Sequence, residues 1–160
     1  RVKSAANYHN ARLASVEAAM NGFGTPIMLN MAGKVSESPG SCFMMVRDGV
    51  VITPPVTADI LESITRETLI QLLRDEMQVT VVERDIDRSE LYIADEGWFC
   101  GSGQEVQPII EIDHYPLGDG KPGPIGRAIQ ALYFEVARGV HEKYRSWLTP
   151  VYPETPSRRD

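Results

Sequence analysis

Residues 42–55, CFMMVRDGVVITPP, decide the fold. Two apolar runs, 42–46 and 50–52, are split by Arg47-Asp48-Gly49. An Asp-Gly pair accepts the left-handed backbone of a tight two-residue turn, so the two runs read as strands of a hairpin. Pro54 and Pro55 close the second strand, because proline has no N–H to donate to a ladder. Strands joined by so short a turn must be antiparallel, which sets the character of the sheet around them.

Working outward, residues 4–22 predict a helix. Ala11, Ala14, Ala18 and Ala19 favour it, Leu13, Val16 and Met20 offer apolar contacts, and Asn21-Gly22 supply a stop. Residues 25–38 predict a strand, a turn at Ala32-Gly33 and the start of a second strand. Ser63 or Thr65 caps a helix over about 66–76 with an apolar stripe of Leu69, Ile70, Leu72 and Leu73. A strand is expected over 78–86, and Asp87 caps a short helix over 88–96. Residues 97–113 predict strand, glycine turn and strand; 118–124 form a glycine-proline loop. Residues 125–144 predict one long amphipathic helix, and a polar, proline-rich tail closes the chain. Several connections are too short for a crossover helix. The expected class is therefore α/β, a mixed, largely antiparallel sheet or pseudo-barrel with helices packed outside.

The 160 residues are 42% hydrophobic and 24% charged, an ordinary globular composition with material for one core. No run of eighteen apolar residues exists to span a membrane. A net charge of −6 without a basic stripe argues against a nucleic-acid surface. Cys42 and Cys100 make no disulfide scaffold, which suits a reduced, intracellular setting. His9, His114 and His141 have no metal-ligand spacing, and neither HExxH nor CxxC occurs, so no metal is assigned.

Three features carry possible chemistry. Gly101-Ser102-Gly103 follows an aromatic strand, and such a turn exposes N–H groups and a hydroxyl to an anion, though many ordinary turns look the same. Ser63-Ile64-Thr65-Arg66 stands at a helix start, where first-turn amides make either a phosphate seat or a simple cap. Glu37 ends an alternating segment; if buried, its carboxylate needs a protonated partner, such as a pyridinium nitrogen. Lys3, on pattern alone, reads as a solvated lysine near a terminus.

Seven stretches in order carry a resemblance: KSAANYHNARLASVEA, GKVSESPGS, MVRDGVVITPP, ILESITRETLIQLL, ERDIDRSELYIADEGWFCGSGQEVQPI, IDHYPLGDGKPGPI and IQALYFEVARG. Together the chain resembles the C-terminal half of a class IV pyridoxal-phosphate aminotransferase of the branched-chain amino-acid group. The resemblance implies roles position by position. Lys3 matches the lysine that forms the Schiff base with pyridoxal 5′-phosphate and later moves the α-proton. Tyr8 matches the tyrosine at the cofactor's phenolic oxygen. Glu37 matches the carboxylate paired with the ring nitrogen. Ile64 and Thr65 fall in the loop whose amides hold the phosphate, and Ser102 stands for the usual threonine of the second phosphate contact. Gly103 and Gln104 fall where N–H groups meet the substrate carboxylate, and Arg66 supports the motif. The implied reaction is transamination of an amino acid with a 2-oxo acid, branched-chain amino acids with 2-oxoglutarate foremost. A lysine amine suits it because it both adds to an aldehyde and shuttles a proton.

The sequence departs from the family's pattern at Ser41, Cys42, Ser102, Gly103 and Gln104, which leaves other readings open. These are an aminodeoxychorismate lyase-like reaction, a D-amino-acid or amine aminotransferase, or a non-catalytic scaffold. The resemblance further implies a cofactor-binding domain over 1–150, a polar tail over 151–160, and an N-terminal domain outside this chain. The expectation is thus one piece of a cleaved or split enzyme, completed by an N-terminal fragment or subunit. Complete protomers would then pair as a cytoplasmic homodimer, with no nucleic-acid or membrane partner.

Overall fold

The computed structural model describes residues 2–151; the expected tail beyond Val151, residues 152–160, lies outside the described residues. Two helices open the chain, α1 (Ala5–Tyr8) and α2 (Arg12–Met20). After a long arch come β1 (Cys42–Arg47) and β2 (Val50–Thr53), then α3 (Ile64–Asp75) and β3 (Val81–Glu83). A 3₁₀ turn over Arg88–Ile93 leads to β4 (Glu96–Gly101) and β5 (Glu105–Ile109). The short pair β6 (Glu111–Ile112) and β7 (Tyr115–Pro116) precedes α4 (Pro124–Ala137) and a second 3₁₀ turn over Glu142–Trp147.

Five strands form one sheet in the order β3-β2-β1-β4-β5. The pairs β1–β2, β1–β4 and β4–β5 are antiparallel, and only β2–β3 is parallel. That parallel pair is the one joined through a helix, α3, as a crossover requires. The sheet is thus mixed and largely antiparallel, with helices outside. The hairpin of 42–53 forms as its Asp-Gly pair predicts. Asp48 and Gly49 both take positive φ, 53° and 75°, and Arg47 faces Val50 across the turn.

Both faces of the sheet are covered, so β1 is buried along nearly its whole length instead of alternating. Met44, Val46, Trp98 and Cys100 pack with Leu69, Leu73 and Ile129 of α3 and α4. Phe43, Met45, Ile52 and Phe99 pack on the other side with Val35, Ile86, Leu91 and Leu117. The buried carboxylate of Glu96 accepts N–H bonds from Ile125 (3.1 Å) and Gly126 (2.7 Å), capping α4 from the neighbouring strand.

Four expectations change. The helix over 4–22 breaks between Tyr8 and Arg12, where the amides of His9, Asn10 and Arg12 bond three residues back. Asn7-Tyr8-His9-Asn10 are weak helix formers, which is where a helix tightens and stops. Leu13, Val16 and Met20 do not reach the core: they are exposed, and α2 buries Ala18 instead. The two strands expected in 25–38 are an arch held by the isolated pairings Leu29–Val35, Lys34–Asp87 and Glu37–Cys42, with Asn30 Oδ1 accepting from the amides of Ala32 and Lys34. The long helix over 125–144 ends at Ala137, because Gly139 turns left-handed (φ 73°) and the chain resumes as a 3₁₀ turn.

Candidate active site

A cavity of about 620 Å³ opens where the first residues of the chain, the arch, the start of β1, the end of β4 and the N-terminus of α3 converge. Its lining includes Lys3, Tyr8, Glu37, Ile64 and Ser102, so residues far apart in sequence meet around one space. Lys3 lies in the extended segment ahead of α1. That segment is held to α1 by Asn7, whose Nδ2 donates to the Val2 carbonyl at 3.1 Å. Tyr8 is the last residue of the same helix.

Glu37 stands at the end of the arch, opposite Cys42. Its Oε2 accepts the Leu61 N–H at 2.9 Å, and no cation pairs with it among the described residues. Burial pushes the Glu37 carboxyl above its ordinary range, and the Leu61 amide offsets part of that rise. Cys42, directly across, has its thiol pushed up to about 11, by burial first and by the Glu37 charge second. Such a thiol is inert at neutral pH.

The N-terminus of α3 forms another part of the wall. Ser63 caps it, its hydroxyl accepting the Arg66 N–H at 3.3 Å, so of the two candidate caps Ser63 is the one used. The amides of Ile64 and Thr65 make no hydrogen bond among the described residues and stay available to an anion. Arg66 is not part of that seat. Its guanidinium is buried, donating to Thr53 Oγ1 (3.2 Å), the Pro54 carbonyl (2.9 Å) and Glu83 Oε2 (2.7 Å). It ties α3 to the ends of β2 and β3.

Ser102 sits on the turn between β4 and β5, at the rim of the cavity. The strand end beneath it packs closely on the arch: a Cβ on Gly101 would lie 3.3 Å from the Gly40 carbonyl oxygen and from Ser41 Cβ. Gly103 and Gln104 share the turn but do not line the cavity, and the Gln104 amide contacts Gln107 on β5. Thr65 is buried beside the cavity without lining it. Leu61, Asp59 and Asn7 line the cavity and were missed by sequence reasoning. Leu61 contributes its backbone N–H, a donor every residue but proline carries, so no residue type could have revealed it.

Chemically, the cavity offers a lysine amine, a carboxylate without a cation, and free amides at a helix start. Such a set suits a ligand with a carbonyl for the amine, a protonated nitrogen for Glu37 and an anionic group for α3. Among the described residues no cluster of His, Cys, Asp and Glu gathers as for a metal ion. No helix of the described residues is long and apolar enough to cross a membrane.

Residues 1–112 match the family model of the class IV aminotransferases, and the chain belongs to that family. It is 45% identical over 152 residues to a probable branched-chain-amino-acid aminotransferase of Aquifex aeolicus, covering 95% of this chain and 49% of that protein. Against the branched-chain-amino-acid aminotransferase of Pseudomonas aeruginosa the identity is 40%, over 94% of this chain and 48% of the relative. The crystal structure of the Thermobaculum terrenum branched-chain amino acid aminotransferase in its PLP-form superposes with a TM-score of 0.93 at 50% identity, covering 96% of this chain and 50% of that one. This chain spans about half the length of the curated relatives it matches.

Proposed function

We propose that this chain is the cofactor-bearing C-terminal half of a pyridoxal-phosphate aminotransferase. It would exchange the amino group of a branched-chain amino acid with a 2-oxo acid such as 2-oxoglutarate. The observation that carries this reading is the single cavity shared by Lys3, Glu37 and the free amides of α3. The residues fit pyridoxal phosphate. Among the described residues the half-buried Glu37 carboxylate has an amide but no cation, and a carboxylate in that setting suits a protonated ring nitrogen. The unbonded amides of Ile64 and Thr65, with Ser102 at the rim, suit its phosphate. Tyr8, which lines the same cavity, we assign to the phenolic oxygen.

When bound, the cofactor supplies the electron sink for removal of an α-proton. The chain's own residues supply the rest. The Lys3 amine holds the cofactor and then carries the proton at its Nζ, Glu37 keeps the ring nitrogen protonated, and the helix amides hold the anionic end. Gly103 and Gln104 we assign to the substrate carboxylate, on the turn above the cavity.

The remaining parts of the reading rest on the family. Residues 1–150 form the cofactor-binding domain and 151–160 a tail. An N-terminal fragment or subunit of the same enzyme completes the pocket, and complete protomers pair. Leu13 and Met20 on α2 and Met31 on the arch, which are 81%, 83% and 100% exposed, support such a partner, since large apolar side chains favour being covered. A cytoplasmic setting agrees with two free, buried cysteines. The test is amino transfer from leucine, isoleucine or valine to 2-oxoglutarate, assayed on the chain joined to its partner polypeptide with Lys3→Ala as control. Transfer that Lys3→Ala abolishes supports the reading; transfer unchanged in Lys3→Ala contradicts it.

A further inference from the structure

The Glu37 carboxylate depends on a hydrogen bond whose donor is itself held by another side chain. Leu61 N–H donates to Glu37 Oε2 at 2.9 Å, and the carbonyl of the same residue accepts the Cys42 thiol at 3.5 Å. Cys42 is the first residue of β1, 2% exposed, and it pairs with Glu37 on one side and Cys100 on the other. Its backbone is therefore anchored in the centre of the sheet, whereas residues 57–63 carry no regular structure. Two residues further on, Ser63 caps α3 and so sets where the Ile64 and Thr65 amides stand. The 59–63 strap thus links both ends of the candidate cofactor site, and the Cys42 thiol fastens its middle.

We propose that Cys42 is a positioning residue: through the Leu61 peptide it fixes the amide that orients the Glu37 carboxylate toward the cavity. This inference deepens the cofactor reading and rests on it for its catalytic meaning, but the relay itself belongs to the protein alone. Removal of the thiol frees the Leu61 carbonyl, the strap gains freedom, and the Leu61 N–H opens more often. Glu37 then loses its donor. A lost donor disfavours a carboxylate, so the Glu37 pKa rises further. Among the described residues the other titratable groups lining the same cavity are Lys3, Tyr8, Asp59 and Glu62. Arg66 and the Ser63 hydroxyl also act on the thiol, and none of these side chains is altered by the change.

The test compares Cys42→Ala, Cys42→Ser and Cys100→Ala in the chain joined to its partner polypeptide and free of cofactor. Cys42→Ser keeps a donor at the same place. Cys100→Ala removes an equally buried thiol across the strand pair without touching Leu61, and so controls for lost packing. The readouts are amide hydrogen exchange at Leu61 and titration of the Glu37 carboxyl by carbon NMR. The expected result is about fivefold to tenfold faster exchange at Leu61 in Cys42→Ala. Its Glu37 titration moves to higher pH, while Cys42→Ser and Cys100→Ala stay close to the parent. Equal behaviour of Cys42→Ala and Cys100→Ala at both positions overturns the proposal and leaves Cys42 a packing residue. None of these readouts needs pyridoxal phosphate, so a failure to bind it would count against the cofactor reading and not against the relay. If the cofactor binds, Cys42→Ala also loosens it, and Cys42→Ser restores it.

Discussion

Glu37 brings a negative charge into a wall that, among the described residues, offers it one amide and no cation. Its folded pKa lies above the unfolded one. The cost is therefore absent below the ordinary carboxylate value of 4.5 and grows as pH rises through that value toward the folded pKa. Glu37→Gln keeps an acceptor for Leu61 and removes the charge. In urea unfolding of the cofactor-free chain it should be the more stable form at neutral pH, by on the order of 1 kcal/mol. That advantage should vanish as pH falls below the carboxylate range. An advantage that persisted in acid would show that charge is not its source. The same substitution should weaken pyridoxal phosphate binding, the trade expected of a group placed for a ligand and not for the fold.

At the scale of elements, α3 is anchored by Arg66 and capped by Ser63. The Arg66 side chain is 4% exposed and gives three hydrogen bonds. Arg66→Met should cost about 2–4 kcal/mol in urea unfolding, since the Pro54 carbonyl and Glu83 lose a planar, forked donor. Arg66→Lys should recover little, because an ammonium cannot reproduce the fork. Recovery by lysine would mean that charge alone matters there.

A second anchor lies in the 3₁₀ turn over Arg88–Ile93, where the Glu90 carboxyl is held down at about 2. The Arg84 guanidinium is the main cause, with the Asp87 amide and Arg47 adding to it against the cost of burial. Its folded pKa lies below the unfolded one, so this stabilisation is complete above the unfolded value and fades as pH falls toward 2. Both arginines are 38% exposed, and solvent screening brings the expected loss in Glu90→Gln to about 1–2 kcal/mol at neutral pH. The parent and Glu90→Gln should converge in thermal melts as pH approaches 2. A gap of constant size would assign the loss to packing. These elements were legible where a side chain leaves a local mark, Asp48-Gly49 for the hairpin and Leu69 to Leu73 for the buried face of α3, whereas two neighbouring hydroxyls left the cap open between Ser63 and Thr65. The break at Tyr8–Arg12 was not, because favourable alanines on one side hid the weak run beside them.

Across the whole molecule, the apolar row of α2 marks what periodicity can say. Leu13, Val16 and Met20 do share a face, but spacing does not state what covers it, and among the described residues nothing does. The candidate site shows the same division. Glu37 and the turns at Ile64 and Ser102 were legible by chemical type, Lys3 and Tyr8 by resemblance alone, and all five meet around one cavity. The contribution of Leu61 was hidden, because it is made by a backbone amide whose position depends on the strap and on β1. If pyridoxal phosphate sits in this cavity on Lys3, as we propose, it can be trapped there. The chain is loaded with pyridoxal phosphate, reduced with borohydride, digested and mapped by mass. A pyridoxyl group is expected on Lys3, with Lys34, Lys121 and Lys143 unmodified. Label spread evenly over these surface lysines, or fixed on one of them while Lys3 stays free, would contradict it.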